Sequence, residues 1–354
     1  MKLNIYPLLF LLTIVFNYSC YTNRDNNKEL LSQFKDVFDL YHIPFNLKED
    51  SIYNKIYDLS IKDNYLFAYD YAANILFSLT DIYQGNMIAR FGKIGQGPTE
   101  ISSPPTSLII YQDTMYFFDI NKSTLYFIDY KKDILYKPQK KFTIDRNKRI
   151  INIVPLISGK YVALGLFENG RYLLLDNAGK EISYNFDYPK FEGEESFTNA
   201  HKAMAFQGKI MNRPDGRRFF FACSNSELFQ IFQIKNNKIG SIYDFQGEFA
   251  TFVPEGDGHQ KIAAGVSRDS KTKFIDAYCT QKYIYLLYSN RLIRENINKA
   301  FYANIILVYD WNGKAIKRYN LDIDVNNIAV NEDDNMIYAS DNESFTSMVK
   351  FEIN

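Results

Sequence analysis

The feature that most narrows the fold is a rhythm. From Ile56 to the C-terminus the chain runs in units of about 40 to 50 residues, each made of short apolar or alternating runs broken by Asn, Asp and Gly. The two clearest copies are Ile56 to Phe91, with "YLFAYDYAANILFSLTD" and "NMIARFG", and Ser107 to Ile144, with "TMYFFDINKSTLYFIDYKKD". Each has an aromatic run, an aspartate (Asp70 or Asp119), a polar turn containing Asn, and a second run with Leu and Phe. Further units span Ile150 to Phe186, Ala203 to Phe245, Phe274 to Leu321 and Val325 to Ile353. The fifth is long because "SNRLIRENINKAFYAN" separates "YIYLLY" from "IILVYDWNGKAIKRYNL", and the sixth falls one strand short. "FDLYHIPFNL", near position 40, is expected to supply that strand. A small twisted antiparallel sheet cannot bury both faces alone, whereas sheets stacked in a ring cover both and leave only short edges. The expected fold is therefore all-β, a six-bladed β-propeller over residues 37–354, closed by an N-terminal strand.

Composition agrees, with 28 Tyr and 29 Phe against one Trp, since flat aromatic side chains suit a half-buried pleated surface. Helical spacing occurs at Leu30, Leu31, Phe34, Val37, Phe38 and Tyr41, which predicts a short amphipathic helix between Lys28 and Tyr41. Its near absence afterwards excludes Rossmann and TIM arrangements, which need a helix between successive strands. Lys plus Arg balance Asp plus Glu at 41 each, so no overall field draws the protein to nucleic acid.

Before the repeats stands "MKLNIYPLLFLLTIVFNYSCYTNRDNNKE". A lysine followed by an apolar run from Leu8 to Phe16, too short to span a bilayer, reads as a signal peptide over residues 1–19. A small residue followed by Cys20 looks like a lipobox, in which the cysteine becomes the lipid-bearing N-terminus, although Asn17 stands where leucine is usual. The alternative is an ordinary secretory signal with an incidental cysteine. Several acyl chains would anchor firmly where one holds only marginally. Residues 20–36 then comprise a lipid-anchored polar tether and the short helix that follows it. Cys223 and Cys279 each lie in an apolar run, as two buried thiols would, with a single bridge left open.

Candidate chemistry begins with "RFGKIGQGPTEISSPP", Arg90 to Pro105. A phosphate loop needs glycines on a strand-to-helix turn. Here Gly92, Gly95 and Gly97 precede three prolines, and Pro98 stands where a Walker lysine would. The stretch is expected to connect blades one and two, with Arg90 and Lys93 near a ligand site. His42, His201 and His259 have no metal-ligand spacing. "DIDVNNIAVNED" sets Asp322, Asp324 and Asn326 at calcium-loop positions, but Asn327 replaces the turn glycine and Asp333 the closing glutamate, so it reads as a polar connection entering blade six. No G-x-S-x-G elbow is present. "EGEES" reads as a solvated loop, and "NRPDGRRFFF" as a turn entering a strand.

Together, "GKIGQGPTEI", "HKAMAFQGKIMNRPDGRRF", "YIYLLYSNR" and "NIILVYDWNGKAIKRYNLDIDVNNIAVNEDDNMIYAS" resemble the TolB-like six-bladed propeller lipoproteins of Bacteroidetes. The resemblance covers most of the chain beyond Cys20. It implies an exported propeller without carrying over any catalytic residue. "DSI" at Asp50 and "DTM" at Asp113 also look like that phylum's O-glycosylation acceptor, on Ser51 and Thr114.

The leading expectation is a monomeric, lipid-anchored, non-enzymatic propeller of the periplasm or outer-membrane surface, without a cofactor. Its partner would be a glycan, a peptide or an envelope protein, held at the channel mouth where loops converge. His201, Arg213, Arg268, Tyr288 and Arg291 form the basic and aromatic set expected there, suited to an anionic glycan or a peptide carboxylate. The alternative is an envelope glycan hydrolase or lyase whose site is assembled from separate blades.

Overall fold

The computed structural model describes residues 29–48, 53–72, 74–97, 99–132, 136–257, 259, 261–341 and 348–353. The signal peptide, Cys20, the start of the tether and Ser51 lie outside the described residues.

Four four-stranded antiparallel sheets follow one another along the chain, with strands running from Asp58 to Lys93, Ile109 to Thr143, Ile150 to Asn185 and Gly208 to Gln246. They are blades one to four and match the units of the sequence to within a few residues. Blades five and six share one strand, Ala315–Val330. Its first part pairs with Ala303–Asp310 as the outer strand of blade five, and its end pairs with Met336–Asp341 as the inner strand of blade six. The "polar connection" into blade six is thus continuous strand, because its register with Ala303–Asp310 shifts between Ile305↔Asn320 and Ala303↔Val325 and the chain crosses to the next sheet without a turn. Asp322 and Asp324 lie within that strand rather than on a calcium loop.

Ring closure follows the pattern the sequence predicts. Ile43–Pro44 pairs antiparallel with Met348–Glu352, completing blade six as its outer strand. The six inner strands stand in chain order about one axis, and that of blade six lies against that of blade one. Rings pack between the blades: Phe77 on Phe117 at 5.3 Å, Tyr116 on Tyr161 at 6.4 Å, Tyr172 on Phe232 at 4.9 Å and Phe229 on Tyr309 at 4.9 Å. These contacts explain the aromatic content, since offset and edge-on pairs add to the area they bury.

The helix expected between Lys28 and Tyr41 is only a 3-10 turn, Leu30–Gln33. Leu30 and Phe34 are buried as that spacing requires, Phe34 edge-on to Tyr309 at 5.1 Å. Val37–Leu40 instead pairs in parallel with Arg318–Leu321. The open edge of blade five offers unpaired backbone groups to a β-prone "VFDL", and this tertiary pairing overrides the helical spacing. Two insertions also stand outside the blades: the helix Asn199–Ala205 before blade four and the hairpin of Phe252–Glu255 with Ala263–Val266 after it.

Candidate functional site

At or near the start of each blade's inner strand stands one polar residue, Asp58, Ser107, Asn152, Lys209, Asp276 and Asn327 from blades one to six in order, that of blade six lying where the shared strand enters its sheet. All six border one cavity of about 410 Å³. The ring is tied from blade to blade. Asp58 Oδ2 accepts the Leu108 amide of the next blade at 2.9 Å, and Asp276 Oδ2 accepts the Ile328 amide at 2.9 Å. Ser107 Oγ donates to Asn152 Oδ1 at 3.1 Å, and Asn327 Nδ2 to the Ile56 carbonyl at 3.2 Å. Across the ring, Lys209 Nζ donates to Asp58 Oδ1 at 2.6 Å and to Asp276 Oδ1 at 2.7 Å. Burial alone would lower the Lys209 pKa, but the carboxylates of Asp276 and Asp58 outweigh it and hold the ammonium above its ordinary value. Burial pushes the Asp276 carboxyl up, with Lys209 offsetting part of the rise. At the far end of these strands the Tyr278 hydroxyl accepts the Ile61 amide at 2.9 Å and donates to the Ile61 carbonyl at 3.0 Å, bridging blade five to blade one.

One wall of the cavity comes from blade three and the insertion before blade four: Arg171, Tyr188, Ala203, Phe206 and Gln207. Tyr188 stacks on Phe206, and Phe206 packs on Phe252 of the inserted hairpin at 5.4 Å, which fixes this wall against blade four. Arg171, only 1% exposed, lies with its guanidinium 4.2 Å from the ring centre of Phe221, 5.2 Å from that of Tyr172 and 5.7 Å from that of Tyr188. Its Nη1 donates to Gln230 Oε1 at 2.7 Å. Its Nη2 is buried and has no hydrogen-bond partner among the described residues. Burial pushes the Tyr188 phenol up to about 12, against the opposing effect of Arg171.

None of the five residues expected to bind ligand borders this cavity, whose lining is drawn from other side chains. His201 is buried in the inserted helix, where its Nδ1 completes a capping box with Thr198 and its Nε2 meets the Glu255 carbonyl at 3.2 Å. Arg213 follows the inner strand of blade four at the end opposite Lys209, donating to the Gln281 carbonyl at 3.0 Å. The Tyr288 hydroxyl donates to Glu227 at 2.5 Å, and the buried Lys273 pairs with the same glutamate at 3.0 Å. Arg291 grips Asp324 through both terminal nitrogens, and Arg268 meets Arg294 through its backbone carbonyl at 2.9 Å.

The glycine stretch joins blades one and two as expected. Gly92 has φ +77° and lies so close to Phe77 that an added Cβ would sit 2.6 Å from its ring. The Gly97 amide donates to Glu100 Oε2 at 2.9 Å, so the loop's own carboxylate fills the concavity a phosphate would need. Lys93 pairs with that glutamate at 3.0 Å and Arg90 with Asp70 at 2.9 Å. Of the "EGEES" run, Glu194 pairs with Lys202 at 2.7 Å. Thr114 opens the second strand of blade two, half-buried. Cys223 and Cys279 are free, buried thiols. Among the described residues, no group of His, Cys, Asp and Glu has metal-site geometry, and no helix is long and apolar enough to cross a membrane.

These features define a six-bladed propeller with a polar cavity at the entrance of its inner strands. The chain belongs to the TolB-like 6-blade propeller-like family, whose description matches residues 25–333. Among solved structures, it is similar to a candidate exported protein of Bacteroides fragilis (13% identity, 89% of this chain and 98% of that one, TM-score 0.54). It is also similar to a member of the DUF4221 family from Bacteroides vulgatus (10% identity, 88% of this chain and 96% of that one, TM-score 0.51). At such identities the likeness is one of fold. No protein of curated function matches the sequence.

Proposed function

We propose that this protein is a lipid-anchored, non-enzymatic propeller of the cell envelope that binds a small glycan or peptide in its central cavity. The observation that carries the reading is that all six blades give a polar side chain to one cavity, while the charged members of that ring are consumed in inter-blade bonds. Asp58 and Asp276 flank the cavity as a hydrolase pair would. General acid–base work requires one carboxyl free to give a proton and one free to take it. Here each carboxylate is engaged by Lys209 and by a backbone amide of the neighbouring blade, an arrangement that supports a structural clamp.

The reading is tested by screening the purified protein against glycan and peptide arrays. Capture of a defined ligand without consumption of it is the expected result. Turnover of a polysaccharide that disappears in Asp58→Asn or Asp276→Asn would replace binding with hydrolysis. Anchoring rests on Cys20 and the signal-like residues before it. In cells, Cys20→Ser is expected to shift the protein from the membrane fraction to the soluble envelope fraction, and an unchanged distribution removes the lipid anchor from the proposal.

A further inference from the structure

Resting on that reading of the cavity, we infer that its ligand is an acidic sugar whose carboxylate is held by Arg171. The argument starts from charge. A guanidinium as buried as Arg171 is costly to desolvate and is ordinarily matched by a carboxylate. None pairs with it among the described residues. Its one hydrogen bond goes to the neutral Gln230 amide, and a carboxylate enters only one step removed, where Gln230 Nε2 donates to Asp244 at 2.9 Å. The three aromatic rings around it offset part of the cost but supply no acceptor. Arg171 therefore borders the cavity with a charge that no carboxylate among the described residues matches, which is the arrangement a bound carboxylate would complete.

The rest of the lining says what that carboxylate is attached to. Ser107, Asn152, Asn327 and Gln207 present neutral donors and acceptors of the kind that meet hydroxyl groups, while Tyr188 and Phe206 offer an apolar ring surface. A cavity of about 410 Å³ lies within the range that encloses a small molecule, roughly 300–1,000 Å³. A hydroxylated ring bearing one carboxylate, a hexuronic acid or the acidic end of a short oligosaccharide, satisfies all three demands. The second cation, Lys209, is already neutralised by two carboxylates, so it calls for no further anion.

Isothermal titration of the purified protein with glucuronate and galacturonate, beside glucose and galactose at matched ionic strength, tests the inference. The acids are expected to bind about tenfold or more tightly than the neutral sugars, and Arg171→Met to erase that preference. Arg171→Lys, which keeps the charge but not the fork, should recover part of it. Circular dichroism establishes that each variant is folded; should Arg171→Met fail to fold, the acid-to-neutral ratio of the parent still decides. Equal binding of acids and neutral sugars overturns the inference while leaving a sugar-binding propeller. Undiminished acid binding by folded Arg171→Met also overturns it, as does binding of none of the four sugars. Inorganic sulfate binding as tightly as the uronates would reduce the site to one for a free oxyanion and remove the sugar.

Discussion

Lys209 and Arg171 are two cations on one cavity, the first part-buried and the second buried, and the protein treats them oppositely. Lys209 sits between Asp58 and Asp276, each of which also holds a backbone amide of the following blade, so three charges and two amides form one closed set. Arg171 has a neutral amide, three rings and a bare Nη2. The first arrangement joins blades one, two, four, five and six around the axis. The second joins nothing that a neutral side chain of similar length could not join. The difference teaches that charge in this cavity serves architecture where it is matched and recognition where it is not.

The largest effect is expected from breaking the matched set. Lys209→Met leaves two buried carboxylates facing each other and should cost about 3–5 kcal/mol in urea unfolding at neutral pH. A loss below about 1 kcal/mol would show that the ammonium is dispensable to the ring and would dissolve the contrast. The pH dependence sharpens it. Because the folded pKa of Lys209 lies above its ordinary 10.5, the stability it supplies is fully present below that pH and is lost as pH rises through the folded value. The gap between parent and variant should therefore stay level from neutrality to about pH 10 and narrow beyond it. Taking the difference removes the tyrosines, whose own raised values act in both proteins.

An intermediate effect is expected at Asp119, a buried charge matched by dipoles instead of a cation. Its carboxylate accepts the Ser102 amide at 2.6 Å, the Ser102 and Ser103 hydroxyls at 2.7 and 3.0 Å, and the Lys122 amide at 3.0 Å. Burial works to raise its pKa, but these donors prevail and hold it below the ordinary 3.8. Asp119→Ala strands two backbone amides and should cost about 2–3 kcal/mol. A depressed carboxylate stabilises above its unfolded pKa, and that contribution is lost as pH falls through the folded value. The gap between parent and variant should accordingly narrow as pH falls below 3.8. A gap that does not change in acid would assign the effect to packing and place Asp119 outside the comparison.

The sequence made the blades legible because each buries a run long enough to set its own period, and blade boundaries follow from "YLFAYDY" or "RRFFFAC" without any long-range information. Closure by Ile43–Pro44 was legible from a deficit, one strand missing in the sixth unit. The parallel strand Val37–Leu40 was not, because its partner lies 281 residues on and exists only once blade five has formed. The polar ring left a faint mark: each unit opens with a polar residue directly before an apolar run, as in "DLSI", "SLII", "NIVP", "KIMN" and "NIAV". Nothing in "GRYLLL" separates Arg171 from a solvated arginine opening a strand, because its burial is imposed by Tyr188 and Phe221 from outside its own strand. The ties of Arg213 and Arg291 were hidden for a similar reason: their partners, Gln281 and Asp324, are distant in sequence.

The smallest effect on stability, and the sharpest test of the comparison, belongs to Arg171. If its charge is held for a ligand, the free protein bears an unmatched desolvation cost that Met at the same place would relieve. Arg171→Met should then leave the unfolding free energy within about 1 kcal/mol of the parent, or raise it, although it replaces one of the most deeply buried polar side chains in the molecule. The loss of the Gln230 bond works the other way, but Gln230 Oε1 keeps the Tyr172 hydroxyl at 3.2 Å, so no acceptor is stranded. Urea unfolding of the ligand-free proteins decides. A loss as large as that of Lys209→Met would mean that the rings and Gln230 already satisfy Arg171 within the fold, and both cations would then be architecture.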